Sequence, residues 1–177
     1  MMFQNERTVD MEKTQDPAQI ARERAEHLYK SGQYLCSEAV LLVANEYLGR
    51  PMPDEVIRLA SGFPVGMGKA GCVCGAIAGG VMALGLKLGR SAPGGETPGL
   101  FAAVKELHDR FQKRRRSVCC RVLIKDLEFG SAQHIEQCVS ITGEVAADVI
   151  QILRRIEHEE ARLNALPANK VPEGVHS

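Results

Sequence analysis

Between Lys69 and Lys87 the chain runs from Ala70 to Leu86 without a charge. A stretch of this kind has two homes, a lipid bilayer or the middle of a protein core. Spanning a bilayer takes roughly 17–25 apolar residues, so this one is at the lower limit. Its glycines and its two cysteines also dilute the hydrophobicity. The reading is a buried central helix from about Val73 to Leu88, stopped by Gly89, and no membrane span is expected. Gly75 and Gly79 are four apart and share a helix face. Without side chains they let another backbone, or a bulky inorganic group, come close. Taken alone they read as a packing surface, which Gly71 extends if the helix begins early.

The flanking segments supply the partners of that helix. Asp16-Pro17 reads as an N-cap followed by proline at the first helical position. Ile20, Ala21, Ala25, Leu28 and Tyr29 then form an apolar stripe that ends at Gly32. A second helix covers Cys36 to Tyr47, with Ala39, Val40, Leu42, Val43 and Leu48 inward, and stops at Gly49. A short third helix, about Asp54 to Ala60, follows Pro53. Ser61 to Gly71 holds Gly62, Gly66, Gly68 and Gly71 and reads as a loop of wide backbone freedom. Residues 90–99 are a Pro/Gly turn region.

Leu100 to Arg116 reads as a helix with Phe101, Val104, Leu107, His108 and Phe111 on one side. It ends in Lys113-Arg114-Arg115-Arg116, cations where the helix dipole favours them. Ser117 to Leu127 is a short helical piece. Gly130-Ser131 opens the longest helix, to about Leu166, with Ile135, Cys138, Val139, Ile141, Val145, Val149, Ile152 and Ile156 inward. No strand period, internal repeat or linker interrupts the pattern. The 177 residues suffice for one core. The expected architecture is all-α, a single-domain bundle of about six helices around the glycine-rich one. It occupies residues 16–166, with a disordered arm at 1–15 and a disordered tail at 167–177.

Several functions lack their residues. Net charge is zero, aromatics make up 5% and tryptophan is absent, so neither a basic footprint nor a stacking platform for nucleic acid is present. The polar N-terminus has no apolar signal core, which points to a cytoplasmic, thiol-reducing location. Gly66-Met67-Gly68-Lys69-Ala70-Gly71 fits G-x-G-x-x-G, but the dinucleotide fingerprint needs a preceding strand, so no nucleotide is expected. The absence of C-x-x-C-H leaves no haem attachment site.

The chemistry therefore rests on Cys36, Cys72, Cys74, Cys119, Cys120 and Cys138. They are spread over separate segments, which only folding can bring together. A metal or cluster cage, a redox dithiol, or coincidence in a core would each explain them. Cys74 opens the glycine-rich helix, where unpaired N–H groups and the dipole favour a thiolate. Cys36 opens its own helix in the same way. Cys119-Cys120 follows the cationic run. A disulfide between these neighbours would be strained, so one of them is spare. His134 and Cys138 are four apart on one helix face, a spacing suited to mixed imidazole–thiolate ligation, although a His so placed is more often exposed and incidental. Cys72-Val73-Cys74 is C-x-C, not the C-x-x-C knuckle of zinc modules.

The segments Tyr34-Leu35-Cys36-Ser37-Glu38-Ala39-Val40, Ala60-Ser61-Gly62-Phe63, Cys74-Gly75-Ala76-Ile77-Ala78-Gly79 and Cys120-Arg121-Val122-Leu123, with Cys138, resemble the C_GCAxxG_C_C family over about residues 25–155. The resemblance implies redox activity and four characteristic cysteines, falling on Cys36, Cys74, Cys120 and Cys138. Cys72 and Cys119 depart from the pattern. A similar domain in split-Soret cytochromes is associated with an iron–sulfur cluster, and the haem portion of those proteins has no counterpart here. The expectation is that the four sulfurs gather in one pocket and bind an iron–sulfur cluster for electron transfer or redox sensing. Two alternatives stay open: a reversible disulfide with Cys74 as the low-pKa attacking thiol, and a structural zinc site on the same thiols. The residues specify no particular redox partner and allow a homodimer.

Overall fold

The computed structural model describes residues 15–165. The expected arm and tail lie outside the described residues, apart from Gln15. Among the described residues the main α-helices are α1 Pro17–Lys30, α2 Cys36–Tyr47, α3 Gly75–Leu88, α4 Leu100–Arg115, α5 Cys120–Leu123 and α6 Ala132–Asn164, and a four-residue segment, Pro64–Met67, makes one further helical turn. The expected third helix, Asp54–Ala60, is a 3-10 helix. No strand is formed among the described residues, and an isolated bridge pairs Val73 with Cys119. No helix among them is long and apolar enough to cross a membrane.

The helix ends follow local chemistry. Asp16 caps α1 by accepting from the Ala18 N–H, with Pro17 at the first position, and Ser131 caps α6 by accepting from the His134 N–H. Both side chains satisfy N–H groups that a helix start leaves unpaired. α6 is the spine against which α1, α2, α3 and α4 pack. Its buried face includes Val139, Ile141, Val145, Val149, Ile152 and Leu153.

The glycine face of α3 is used on both sides. A β-carbon on Gly79 would run into the Ser37 backbone of α2. One on Gly80 would stand 2.7 Å from Leu107 Cδ2 of α4 and 3.1 Å from Val145 Cγ1 of α6. The helical part of the uncharged stretch is thus central to the bundle, with Ala76, Ile77, Ala83 and Leu84 sealed in the core, while Ala70, Cys72 and Val81 are exposed.

Most of each expected stripe faces the core, with a few residues of three helices turned out. In α4 the core residues are Ala103, Leu107 and Phe111, while Phe101 is 76% exposed and His108 also faces out. Leu107 of α4 packs over Gly80 of α3, and Ala103 and Phe111, four residues to either side, share its face. In α1, Ala18 is buried and Ile20 exposed, and in α6 Ile135 is exposed. α3 also begins later than expected, at Gly75. Gly71 therefore lies in the preceding loop with φ +73° and does not extend the glycine row.

Candidate functional site

Ser61 to Gly71 is more specific than a free loop. Val65, Gly66, Met67, Gly68 and Lys69 have φ of 56°, 71°, 56°, 60° and 70°. Five successive residues in the left-handed region make a reversed coil, strained for a β-branched residue such as Val65. The coil turns the chain back toward α5. The Cys72 N–H donates to the Gly66 carbonyl at 3.3 Å. The returning segment then pairs antiparallel with residues 118–121. The Cys74 N–H donates to Val118 O at 2.7 Å, the Cys120 N–H to Cys72 O at 2.5 Å and the Arg121 N–H to Gly71 O at 3.0 Å.

That pairing sorts the two ambiguous cysteines. Neighbouring residues in extended pairing point to opposite sides. Cys120 turns into the protein and is buried, while the Cys119 thiol donates to the Gly71 carbonyl at 3.0 Å on the other side. Cys72 is exposed. Cys74 is the buried N-cap residue of α3. Cys36 opens α2, where the Ser37 hydroxyl donates to Ala60 O at 2.8 Å and Glu38 accepts from the Leu35 N–H at 2.8 Å. The first bond ties the start of α2 to the 3-10 helix, and the second closes the first turn of α2 on itself.

Cys36, Cys74, Cys120 and Cys138 line one cavity of about 40 Å³, together with Tyr29, Val65, Gly75 and His134. Gly75 forms a wall that only glycine permits, since a β-carbon there would meet Cys36 Sγ at 2.5 Å. The structure thus brings these four cysteines together and leaves Cys72 and Cys119 out. Among the described residues, no three His, Cys, Asp or Glu side chains are grouped as the ligands of a single metal ion.

Burial is the first influence on all four thiols, and it disfavours the charged form. It pushes Cys74 up to about 12, although the Ala76 and Ile77 N–H groups at the start of α3 pull the other way. Cys36 is raised by burial and then by the charges of Cys74 and Cys138. Cys120 is raised by burial and by Cys138 and Cys119. Cys138 is raised by burial, against a hydrogen bond from Tyr29 and the charge of Arg115. The expectation of a low-pKa Cys74 thiol is therefore corrected, because desolvation outweighs the helix N–H groups. The mutual influence of the four thiols is itself a sign of proximity.

The cationic run serves mainly another purpose. Arg114 pairs with buried Asp148, and Arg115 with Glu144 at 2.7 Å, which fastens α4 to α6. Of the run, Arg115 alone reaches the thiols, through Cys138.

Two site residues carried little signal in the sequence. His134 is 6% exposed. Its Nδ1 accepts from the Gly130 N–H at 3.1 Å, so the ring proton sits on Nε2, 3.7 Å from Cys138 Sγ. The His134–Cys138 spacing pointed to this pair, and only burial distinguishes it from chance. Tyr29 read as part of an apolar stripe, whereas it lines the cavity, and burial, followed by the charges of Cys138 and Cys36, raises its pKa.

A family model described as "Putative redox-active protein (C_GCAxxG_C_C)" matches residues 34–152. No curated protein and no solved structure matches the chain.

Proposed function

Because the chain belongs to the C_GCAxxG_C_C family of redox-active proteins, we propose that Cys36, Cys74, Cys120 and Cys138 hold an iron–sulfur cluster that carries or senses electrons. The observation that carries this reading is the convergence of four thiols, from four elements, on one cavity. Four thiolates are the usual ligand set of such a cluster, and N–H groups directed at the sulfurs tune its potential. Cys74 receives the Ala76 and Ile77 N–H groups, and Cys36 that of Ser37. The Gly75 wall leaves the space in front of Cys36 free of a side chain. When bound, the cluster supplies a reversible electron couple. The chain's own residues hold it, donate hydrogen bonds to its thiolates and keep water away.

Zinc is less well served. It draws its ligands to about 2.3 Å of one point, and no such group is assembled among the described residues. A cluster instead holds its thiolates around an inorganic core of several atoms.

The test is anaerobic reconstitution of the full chain with iron and sulfide, followed by metal analysis. Cys74→Ser should lose most of the bound iron and sulfide, whereas Cys72→Ser, altered outside the cavity, should keep most of it. A larger loss from Cys72→Ser would place the site elsewhere.

A further inference from the structure

On the outer side of the left-handed coil lies a second concavity, of about 480 Å³. Lys69, Arg121 and Lys125 supply its charge, and Val65, Ile124 and Phe129 its apolar surface. None of its lining residues is acidic. We propose that this groove binds a small planar anion, an aromatic ring bearing a phosphate or carboxylate.

The cations are placed and incompletely used. Arg121 Nη2 donates to the Ala70 carbonyl at 2.7 Å, which leaves most of the five guanidinium donors for an anion. Gly71 allows this approach, since a β-carbon there would stand 2.9 Å from Arg121 Cβ. Lys69 is held at φ 70° by the coil and makes no ion pair among the described residues. Lys125 has one distant carboxylate, Asp126 at 3.8 Å, with both side chains largely exposed. Three cations around an apolar floor, with no acidic residue in the lining, match the charge of an anion.

The apolar part asks for a ring. Phe129 is 57% exposed, and one face of it is occupied by His134, with ring centroids 4.9 Å apart. A planar ligand would stack where the phenyl ring meets solvent. The size is that of a small-molecule site, commonly about 300–1,000 Å³ with few charged groups on an apolar lining.

Position gives the groove its meaning. Val65 lines both the groove and the thiol cavity, and His134, on which Phe129 stacks, lines the cavity too. A molecule seated here would be one side chain away from the thiols. The groove itself stands on residues outside the thiol set, so its occupancy can be tested apart from the cluster.

Three probes titrated against the full chain at low salt separate its two requirements: flavin mononucleotide, riboflavin and inorganic phosphate. Quenching of flavin fluorescence reports the first two, and chemical-shift changes report phosphate. Flavin mononucleotide should bind at least tenfold more tightly than riboflavin, which lacks the charge, and than phosphate, which lacks the ring. Raising the salt should weaken it. Lys69→Glu/Lys125→Glu, two exposed changes, should cost at least tenfold while the far-ultraviolet circular dichroism stays unchanged. Equal affinity for flavin mononucleotide and riboflavin would overturn the proposal. So would equal affinity for flavin mononucleotide and phosphate, unaltered binding by the folded double variant, or no binding of any probe.

Discussion

A β-carbon on Gly75 would stand 2.5 Å from Cys36 Sγ, 3.1 Å from the Phe63 carbonyl oxygen and 3.2 Å from Pro64 Cα. The thiol can swing away, but the two backbone atoms cannot. Gly75→Ala should therefore cost about 1–3 kcal/mol through overpacking, read as a lower urea midpoint of the metal-free, reduced protein. An unchanged midpoint would show that the wall yields. The thiols also set a pH dependence. Cys74 holds its proton more tightly folded than unfolded, with its pKa raised from 9.0 to about 12. Its contribution is complete below pH 9 and is lost as pH rises toward about 12, by up to about 1.4 kcal/mol per pH unit. Between those limits the reduced, metal-free protein should lose stability more steeply than Cys74→Ala does. Parallel curves would mean that Cys74 is not desolvated as the structure has it. The choice of Cys120 over Cys119 was legible only through the family pattern. Nothing in two adjacent cysteines says which faces inward until their antiparallel pairing is known. Tyr29 was read by its apolar ring, and periodicity is silent about where a hydroxyl ends.

The coil from Val65 to Lys69 is the element that departs most from ordinary backbone preference. Left-handed geometry costs a residue with a β-carbon about 1–2 kcal/mol, while glycine gives back about 0.5–1 kcal/mol in unfolded-state freedom. Met67, at φ 56° and half exposed, is the clean place to separate the two. Met67→Gly should stabilise the protein by about 0.5–1 kcal/mol, and its melting temperature should rise by about 2 °C. A fall would show that the Met67 side chain contributes more than its backbone costs. The glycines at 62, 66, 68 and 71 announced freedom, but they could not announce that valine, methionine and lysine between them take the same hand. The stripe of α4 was misread for a related reason. Phe101 and His108, seven apart, lie on one face, whereas Ala103, Leu107 and Phe111 repeat every four residues on another, and only packing against α3 and α6 decides which of these faces inward. By contrast, α1, α2 and α6 carried their own caps or stops, so their limits were legible to within a few residues.

The molecule as a whole is organised by α6, whose ion pairs and hydrogen bonds reach the other helices. Arg154 pairs with Asp16 at 2.6 Å, Glu157 accepts from the Tyr47 hydroxyl at 2.8 Å, and Arg155 pairs with Glu106 at 2.7 Å. Such exposed pairs orient more than they stabilise, and the glycine face of α3 supplies the close packing. The all-α plan was legible because its periodicity and stop residues are local. The convergence of four cysteines was not readable from spacing, because it depends on how four segments are folded onto one another. The account stands on those thiols acting as one site for an iron–sulfur cluster. The measurement is the visible absorption of the full chain purified without oxygen, with iron and acid-labile sulfide assayed on the same sample. The prediction is a coloured protein containing iron and sulfide that bleaches reversibly on reduction. A colourless protein, or one holding zinc and no iron, would contradict it.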